Sequence, residues 1–439
     1  MAIENGIQEE GVVKIRSRTR AFSNKKVEKT ECPLATFDLP YVTFFYNQKL
    51  LLYREVNYEE MVEKLKEGLG VVLEFFYPLT GRLGKDEEGV LRIEKCGDDN
   101  GGVEVIEAEA VDISVEELSE DNVSSFMEEI VPFSGILNVQ GFHKPLLAVQ
   151  FTRLKDGLAL GCAFNHAVLD GTATWHFLSS WAEICRGADK ISVMPFHDRT
   201  QARDTRVKLE IPDALISGEA PVSLEPPLPE RIFRFSDAAI EAIKTKVNAG
   251  RPEGTPPFSS FQCLGTHIWH AVTRARGLKP DEFTVFTIFV DCRKRVSPPM
   301  PASYFGNLIQ AIFTVTAAGV LLTNPPEFAA GMLQQVITSH DAKAITARSE
   351  EWEAAPKLFE FRDAGMNCVA VGSSPRFPVY DVDFGFGRPE RVRSGRANKF
   401  DGMVYLYPGR EGGKSVDVEV CLTADAMEKL EKDSGFVMI

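Results

Sequence analysis

A histidine and an aspartate stand four residues apart in Asn165-His166-Ala167-Val168-Leu169-Asp170-Gly171. Histidine is the side chain best suited to moving protons near neutral pH. The apolar run before it, Leu158 to Phe164, predicts a buried strand, and the amphipathic run after it, Thr172 to Cys185, predicts a helix. A histidine in the turn between them would be held rigidly at the edge of a cleft, where it could serve as a general base or acid. Spacing alone leaves Asp170 two readings. It would share a helical face with His166, or it would cap the helix that starts near Thr172. A packed histidine beside a capping aspartate gives the same pattern, so the decision rests on other residues.

Asp383-Phe384-Gly385-Phe386-Gly387, followed by Arg388 and Pro389, places glycines on both sides of an aromatic ring. That predicts a tight loop fixing Phe386. It is no dinucleotide fingerprint, because Glu390 stands where a third glycine is required. The basic residues Arg388, Arg391, Arg393, Arg396 and Lys399 form either a phosphate-binding patch or a solvated charged face, and Arg293, Lys294 and Arg295 offer a second patch. Gly409 to Ser415 imitates a phosphate loop but has Pro408 in place of its first glycine, which predicts a hairpin turn. His267 and His270 lie in an apolar helical stretch without a supporting cluster, so they read as packed histidines and no metal site is expected. The G-x-S-x-G signature of many esterases is absent.

The chain has 439 residues, more than one ordinary core accommodates, which predicts two domains. Lys and Arg number 49 against 63 Asp and Glu, a net charge of −14, which argues against a nucleic-acid partner. The 30 phenylalanines mean either apolar pockets or simply a Phe-rich core. Eight scattered cysteines form no C-x-x-C pair, which fits a reducing compartment. Met1 to Gly6 has neither the basic nor the apolar region of a signal peptide, and Ala2 excludes myristoylation. The longest apolar run, Leu308 to Leu322, is too short and too polar to span a bilayer. A soluble cytoplasmic protein is expected.

Periodicity predicts strands at Leu39 to Tyr46 and Lys49 to Tyr53, then a helix from Tyr58 to Phe76. Gly187 to Pro229 is rich in Pro, Asp and Arg, and Pro212, Pro221, Pro226, Pro227 and Pro229 argue against regular helix there. Beyond it come a strand at Arg231 to Phe235, helices at Asp237 to Asn248 and Ser259 to Ala275, and a buried strand at Phe283 to Asp291. The alternation predicts an α/β protein. Its expected parts are an N-terminal domain, 1–186, carrying His166, a crossover linker, 187–228, and a C-terminal domain, 229–439, carrying the Asp383 loop.

Five ordered motifs, spread from about Val12 to the C-terminus, resemble those of the plant BAHD acyltransferases. The family's H-x-x-x-D-G matches His166, Asp170 and Gly171. Its D-F-G-W-G matches Asp383 to Gly387 with Phe386 for Trp, and its F-Y-P-L-A-G-R-L matches Phe76 to Leu83 with Thr80 for Ala. D-x-R-x-R matches Asp291, Arg293 and Arg295, and Y-F-G-N matches Tyr304 to Asn307. Within the family, the chain looks most like the type linked to cuticular ridges and cutin formation. The resemblance implies two chloramphenicol-acetyltransferase-like α/β domains with mixed sheets, some segments exchanged, joined by a long crossover loop. An active-site channel would run between them.

The implied reaction moves an acyl group, acetyl or longer, from a coenzyme A thioester to a hydroxyl of a plant metabolite. That acceptor would be a hydroxy fatty acid or cutin precursor, or a triterpenoid or sugar hydroxyl. Acyl-CoA would be a co-substrate, with no permanently bound cofactor, and the chain would be a monomer. His166 would be the base. Asp170 would turn away from substrate to pair with Arg293, and Asp383, Gly385 and Gly387 would shape the loop. Many members carry Thr/Ser-x-Trp where this chain has Gly372-Ser373-Ser374. Ser373, Ser374 and Phe386 are therefore the candidates for oxyanion donor or pocket lining. Ser260, Arg388, Arg391 and Arg393 are the candidates for coenzyme A. The alternative is a catalytically silent or lyase-type member that binds an apolar metabolite in the same cleft.

Overall fold

Apolar side chains fill Gly157–Phe164 and most of Asn47–Arg54, and these runs form adjacent antiparallel strands. They belong to a six-stranded sheet with the spatial order Lys14–Ala21, Val103–Ala110, Leu147–Leu154, Gly157–Phe164, Asn47–Arg54, Arg391–Ser394. Its sixth strand comes from the C-terminal half, with Arg391 opposite Leu52 and Ser394 opposite Lys49. Chain order and spatial order therefore part company, and backbone hydrogen bonds tie the two halves together. This computed structural model describes residues 12–25, 32–94, 96, 101–121, 126–219, 228–252, 254–359, 365 and 367–437.

A second six-stranded sheet runs Ile309–Ala317, Phe283–Asp291, Cys368–Val371, Met403–Pro408, Val416–Cys421, Glu230–Phe235. Cys368–Val371 lies parallel to both neighbours, so this sheet is mixed, as is the first. The two faces of Met403–Pro408 enter different cores. Val404 and Leu406 pack with Ile268, Trp269 and Val272 of the helix Ser260–Arg276, whereas Met403, Tyr405 and Tyr407 join the core of the N-terminal half. This strand is thus buried on both sides, and its Tyr405 face meets Lys49 of the first sheet. The architecture is two mixed-sheet α/β domains.

The helix Tyr58–Phe75 starts where Asn57 accepts from the Glu60 amide, and it buries Met61, Leu65, Leu69 and Val72. The helix Gly171–Cys185 crosses it closely. A Cβ at Gly68 would lie 2.4 Å from Cys185 Sγ, and the Trp181 indole donates to the Leu65 carbonyl at 3.0 Å.

Two expectations change. Leu39 to Tyr46 is not a strand: Leu39–Tyr41 is a single 3₁₀ turn with Pro40 in its first turn. Proline offers no N–H to a sheet ladder. The carbonyls of Tyr41 and Phe45 accept instead from Asn138 Nδ2. The crossover does contain a short helix, Asp213–Ser217, immediately after Pro212, where a proline's fixed φ suits a helix start. Pro221, Pro226, Pro227 and the Met1 to Gly6 segment lie outside the described residues. Leu308 to Leu322 folds as the strand Ile309–Ala317 and part of the helix Ala318–Thr323, and no helix among the described residues is long and apolar enough to cross a membrane.

Gly161 sits at the middle of the strand that leads to His166, opposite Leu50 on one side and Gln150 on the other. A Cβ there would lie 2.4 Å from the Ile130 carbonyl oxygen. We expect Gly161→Ala to lower stability by about 1–3 kcal/mol through overpacking. An unchanged urea midpoint would show that the Ile130 segment moves aside freely.

Candidate active site

The turn after Phe164 is fixed at almost every backbone group. Asn138 accepts the His166 amide through Oδ1 at 2.8 Å, and its carbonyl accepts Asn165 Nδ2 at 2.8 Å. Asn165 Oδ1 in turn accepts the Ala167 amide at 3.1 Å. The His166 carbonyl accepts Asn307 Nδ2 at 2.8 Å, and the Val168 carbonyl accepts Arg199 Nη2 at 2.7 Å. A half-buried imidazole is therefore carried on a backbone with little freedom.

The ring stacks on Tyr41, with centroids 4.8 Å apart and planes within 9°, and Phe44 lies beyond at 6.5 Å. Loss of water around the ring holds the His166 pKa below its usual 6.5, although its own carbonyl and the Asp170 carboxylate pull upward. Nδ1 is buried and, like Asn307 Oδ1, makes no hydrogen bond of ordinary geometry among the described residues, although the ring's own carbonyl and the Asn307 side chain lie close enough to raise its pKa.

Asp170 is completely buried and takes the capping reading, since His166 lies in a turn and the two share no helical face. Its Oδ1 caps the helix Gly171–Cys185 by accepting the Ala173 amide at 3.0 Å. Arg293, also buried, grips both oxygens, Nη1 to Oδ2 at 2.8 Å and Nη2 to Oδ1 at 3.0 Å. The Leu308 amide reaches Oδ2 at 3.0 Å. Arg293 also donates to the carbonyls of Tyr304 and Gly306 at 3.0 and 3.1 Å. A second buried pair backs the same turn. Arg199 Nη1 donates to both Asp38 oxygens at 2.8 Å, and Asp38 Oδ1 accepts Asn307 from both its amide and its side chain.

The Asp383 loop lies elsewhere. Asp383 Oδ1 accepts the amides of Gly385 and Gly387 at 2.7 and 3.0 Å, and both glycines have positive φ, 97° and 98°. Tyr53 donates to the Val382 carbonyl, and its ring meets Phe384 edge-on at 6.0 Å. Tyr53 pairs with Leu158, while Asn47 pairs with Phe164 at the His166 end. Six residues of strand, about 20 Å, separate those two ends. Arg186 gives the same answer: it follows the helix that Asp170 begins and donates to the Asp383 carbonyl. Phe386 therefore does not line the His166 pocket. It lies under Lys64, whose Nζ is 4.9 Å from the ring centroid.

Ser373 and Ser374 follow the strand Cys368–Val371. Ser373 spends its hydroxyl on the Leu406 carbonyl at 3.0 Å, whereas Ser374 Oγ accepts the Arg376 amide at 3.3 Å. Phe377 of this loop reaches the His166 end: a Cβ on Gly171 would lie 2.9 Å from its Cζ. Of the three candidates for oxyanion donor or pocket lining, Ser374 is thus the one in that region with an uncommitted hydroxyl proton among the described hydrogen bonds.

The four coenzyme A candidates are not gathered. Arg393 is 1% exposed and donates to the Glu120 carbonyl, so it is not available to a phosphate. Burial lowers its pKa. Arg391 lines a charged cleft of about 750 Å³ with Arg54, Arg234, Asp121 and Glu390. Arg388 is exposed beside Asp381 at 3.6 Å. Ser260 is exposed at the first turn of the helix Ser260–Arg276, whose cap is Ser259. That helix start, like others, favours anions. Asp38, Arg199 and Asn138 escaped the sequence reading. Arg199 lies in the irregular crossover, and its partner Asp38 is 161 residues away.

The Transferase family profile matches residues 12–437. The BAHD acyltransferase DCR of Arabidopsis thaliana is 56% identical over 447 residues, covering 97% of this chain and 92% of that protein. The crystal structure of vinorine synthase superposes with a TM-score of 0.74 at 21% identity, covering 95% of this chain and 96% of that one. TRI101 of F. sporotrichioides, solved with coenzyme A and T-2, gives 0.76 at 20% identity, covering 93% and 98%. Vinorine synthase and TRI101 share the fold described above, and the chain belongs to the Transferase family of BAHD acyltransferases, making it an enzyme that transfers acyl groups other than aminoacyl groups.

Proposed function

We propose that the chain moves an acyl group, acetyl or longer, from a coenzyme A thioester to a hydroxyl of a plant metabolite, with His166 as general base. The observation that carries this reading is the half-buried imidazole, kept uncharged by burial, on a turn with almost no backbone freedom. Nε2 is the assigned base, because Nδ1 is buried. The coenzyme A bound in TRI101, and the likeness to DCR, support the donor and the reaction class. The acceptor class is a hydroxy fatty acid or cutin precursor, or a triterpenoid or sugar hydroxyl. All eight cysteines are buried and unbridged, which supports a reducing, cytoplasmic setting, and we place the enzyme there as a monomer.

A thioester carbonyl is electrophilic already, whereas a hydroxyl attacks poorly until its proton leaves. His166 accepts that proton as the C–O bond forms, a contribution of about 10²–10⁴ in rate. The tetrahedral oxyanion needs a donor, and the Ser374 hydroxyl is the assigned one. Collapse breaks the C–S bond, and a thiolate of pKa about 8.5 leaves and recovers the proton from His166. Asp170 holds the turn and takes no proton.

Replacing His166 by Ala should reduce turnover about 10³-fold with the melting temperature preserved, in line with loss of a general base. Near-normal release of free thiol from acyl-CoA and an alcohol would end the mechanism. Because the His166 pKa is lowered, the acid limb of kcat/KM should fall below pH 6.5, with activity lost as the ring protonates. A limb centred above that value would mean that the His166 carbonyl and the Asp170 carboxylate outweigh burial.

Asp170→Ala should cost about 3–5 kcal/mol, because it leaves Arg293 buried and unpaired. A variant as stable as the parent would contradict the buried pairing. Restoring a large aromatic with Ser374→Trp should narrow the channel, raising KM for bulky substrates more than for small ones. Kinetics across an acceptor panel checks this, and unchanged parameters for every substrate would remove Ser374 from the site.

A further inference from the structure

Lys49 is a buried cation that the acyl-transfer chemistry above does not use. It shares its strand face with Leu51 and Tyr53, whose core also holds Met403, Tyr405 and Tyr407 of the second sheet, whereas Leu50 and Leu52 face the opposite side. It is 4% exposed. Its ammonium lies 5.8 Å from the ring centroid of Tyr405 on the second sheet. The side chain turns back along its own strand to donate to Asn47 Oδ1 at 2.9 Å. Asn47 pairs with Phe164, two residues before His166. The ammonium is thus directed toward the catalytic end of the sheet, where two residues of strand span roughly 7 Å.

Its partners are few. Lys399, at the same 5.8 Å from the Tyr405 ring, is held by the carboxylates of Glu230 and Glu419. Lys49 forms no ion pair with a carboxylate among the described residues. Among the described residues its only hydrogen-bond acceptor is the neutral Asn47 amide, so two of its three N–H groups are unspent. Glu419 acts on it only from longer range, and loss of water pushes its pKa down to about 8. An apolar side chain of equal length would fit this place at lower cost. Packing therefore supplies no reason for a lysine here.

We propose that Lys49 receives a carboxylate carried by the substrate, and that the acceptor it selects is a hydroxy acid, with the hydroxyl at His166 and the carboxylate at Lys49. This rests on the acyl-transfer reading above. The same chemistry would recognise a carboxylate on the acyl group, and the test separates the two sources.

The experiment compares the full chain with Lys49→Met and Lys49→Arg, with Lys49→Gln as the substitute if the methionine variant does not fold. Acceptors are ω-hydroxy acids of six to sixteen carbons, each as the free acid and as its methyl ester, with acetyl-CoA as donor. A second arm gives a simple alcohol either acetyl-CoA or an ω-carboxyacyl-CoA. Loss of a charge-assisted contact should lower the acid-over-ester ratio of kcat/KM about 10- to 100-fold in Lys49→Met, and Lys49→Arg should retain most of it. The same ratio in parent and methionine variant overturns the acceptor assignment. A loss confined to the ω-carboxyacyl-CoA arm also overturns it and moves the carboxylate to the acyl group. Calorimetric titration with the free hydroxy acids needs no turnover. If no substrate is acylated, the acyl-transfer reading fails. Weaker hydroxy-acid binding by Lys49→Met would then still support the carboxylate contact, and equal binding would overturn it.

Discussion

The site depends on one buried carboxylate. Asp170 has no water, so its lone pairs must be filled by protein, and they are: two N–H groups of Arg293, the Ala173 amide and the Leu308 amide. These donors come from the C-terminal half, from the helix that Asp170 itself starts, and from the segment after Tyr304-Phe305-Gly306-Asn307. A desolvated charge tolerates no vacancy among its donors. The four contacts therefore hold together or fail together. They lock the end of the Gly157–Phe164 strand to the opposite domain. Asp38 and Arg199 repeat the arrangement a few residues away, with Asn307 touching both Asp38 and the His166 carbonyl.

That saturation also settles what the histidine–aspartate spacing means. A relay would need Asp170 to accept from the imidazole, but its acceptor sites are already taken. The buried Nδ1 of His166 indeed makes no hydrogen bond to Asp170. The imidazole is oriented by its backbone and by the Tyr41 stack, and burial, with no ion pair to the ring, sets its protonation. Asp170 is a structural tie, and the imidazole is left without an ion pair to it.

What could be read from the sequence follows from how local the signal is. The strand–turn–helix around His166, the helix Tyr58–Phe75 and the strand Phe283–Asp291 each carry their own periodicity, and each formed near its expected bounds. Leu39 to Tyr46 did not, because its backbone groups are claimed by Asn138 and Asn398, residues far away in the chain. Arg393 failed as a phosphate ligand for a similar reason: a run of arginines has no built-in indication of which one a strand will turn inward. Phe386 was misplaced because a substitution in a shared motif shows that something changed, not where. The register of Tyr53 against Leu158 was needed to set that loop at the far end of the sheet.

The separation between fixed and variable parts has a physical basis. The His166 turn is held by backbone contacts and two buried ion pairs, none of which involves the walls of the layer between the sheets. Those walls are built from alternate residues of strands whose other faces carry the cores: Lys49 on the first sheet, Tyr405 on the second, Ser374 just past a strand end. With a side-chain period of two, a wall residue can change in size or charge while its strand neighbours continue to pack the core behind it. The His166 turn stays where Asp170 and Asn138 hold it, whatever side chains those walls carry.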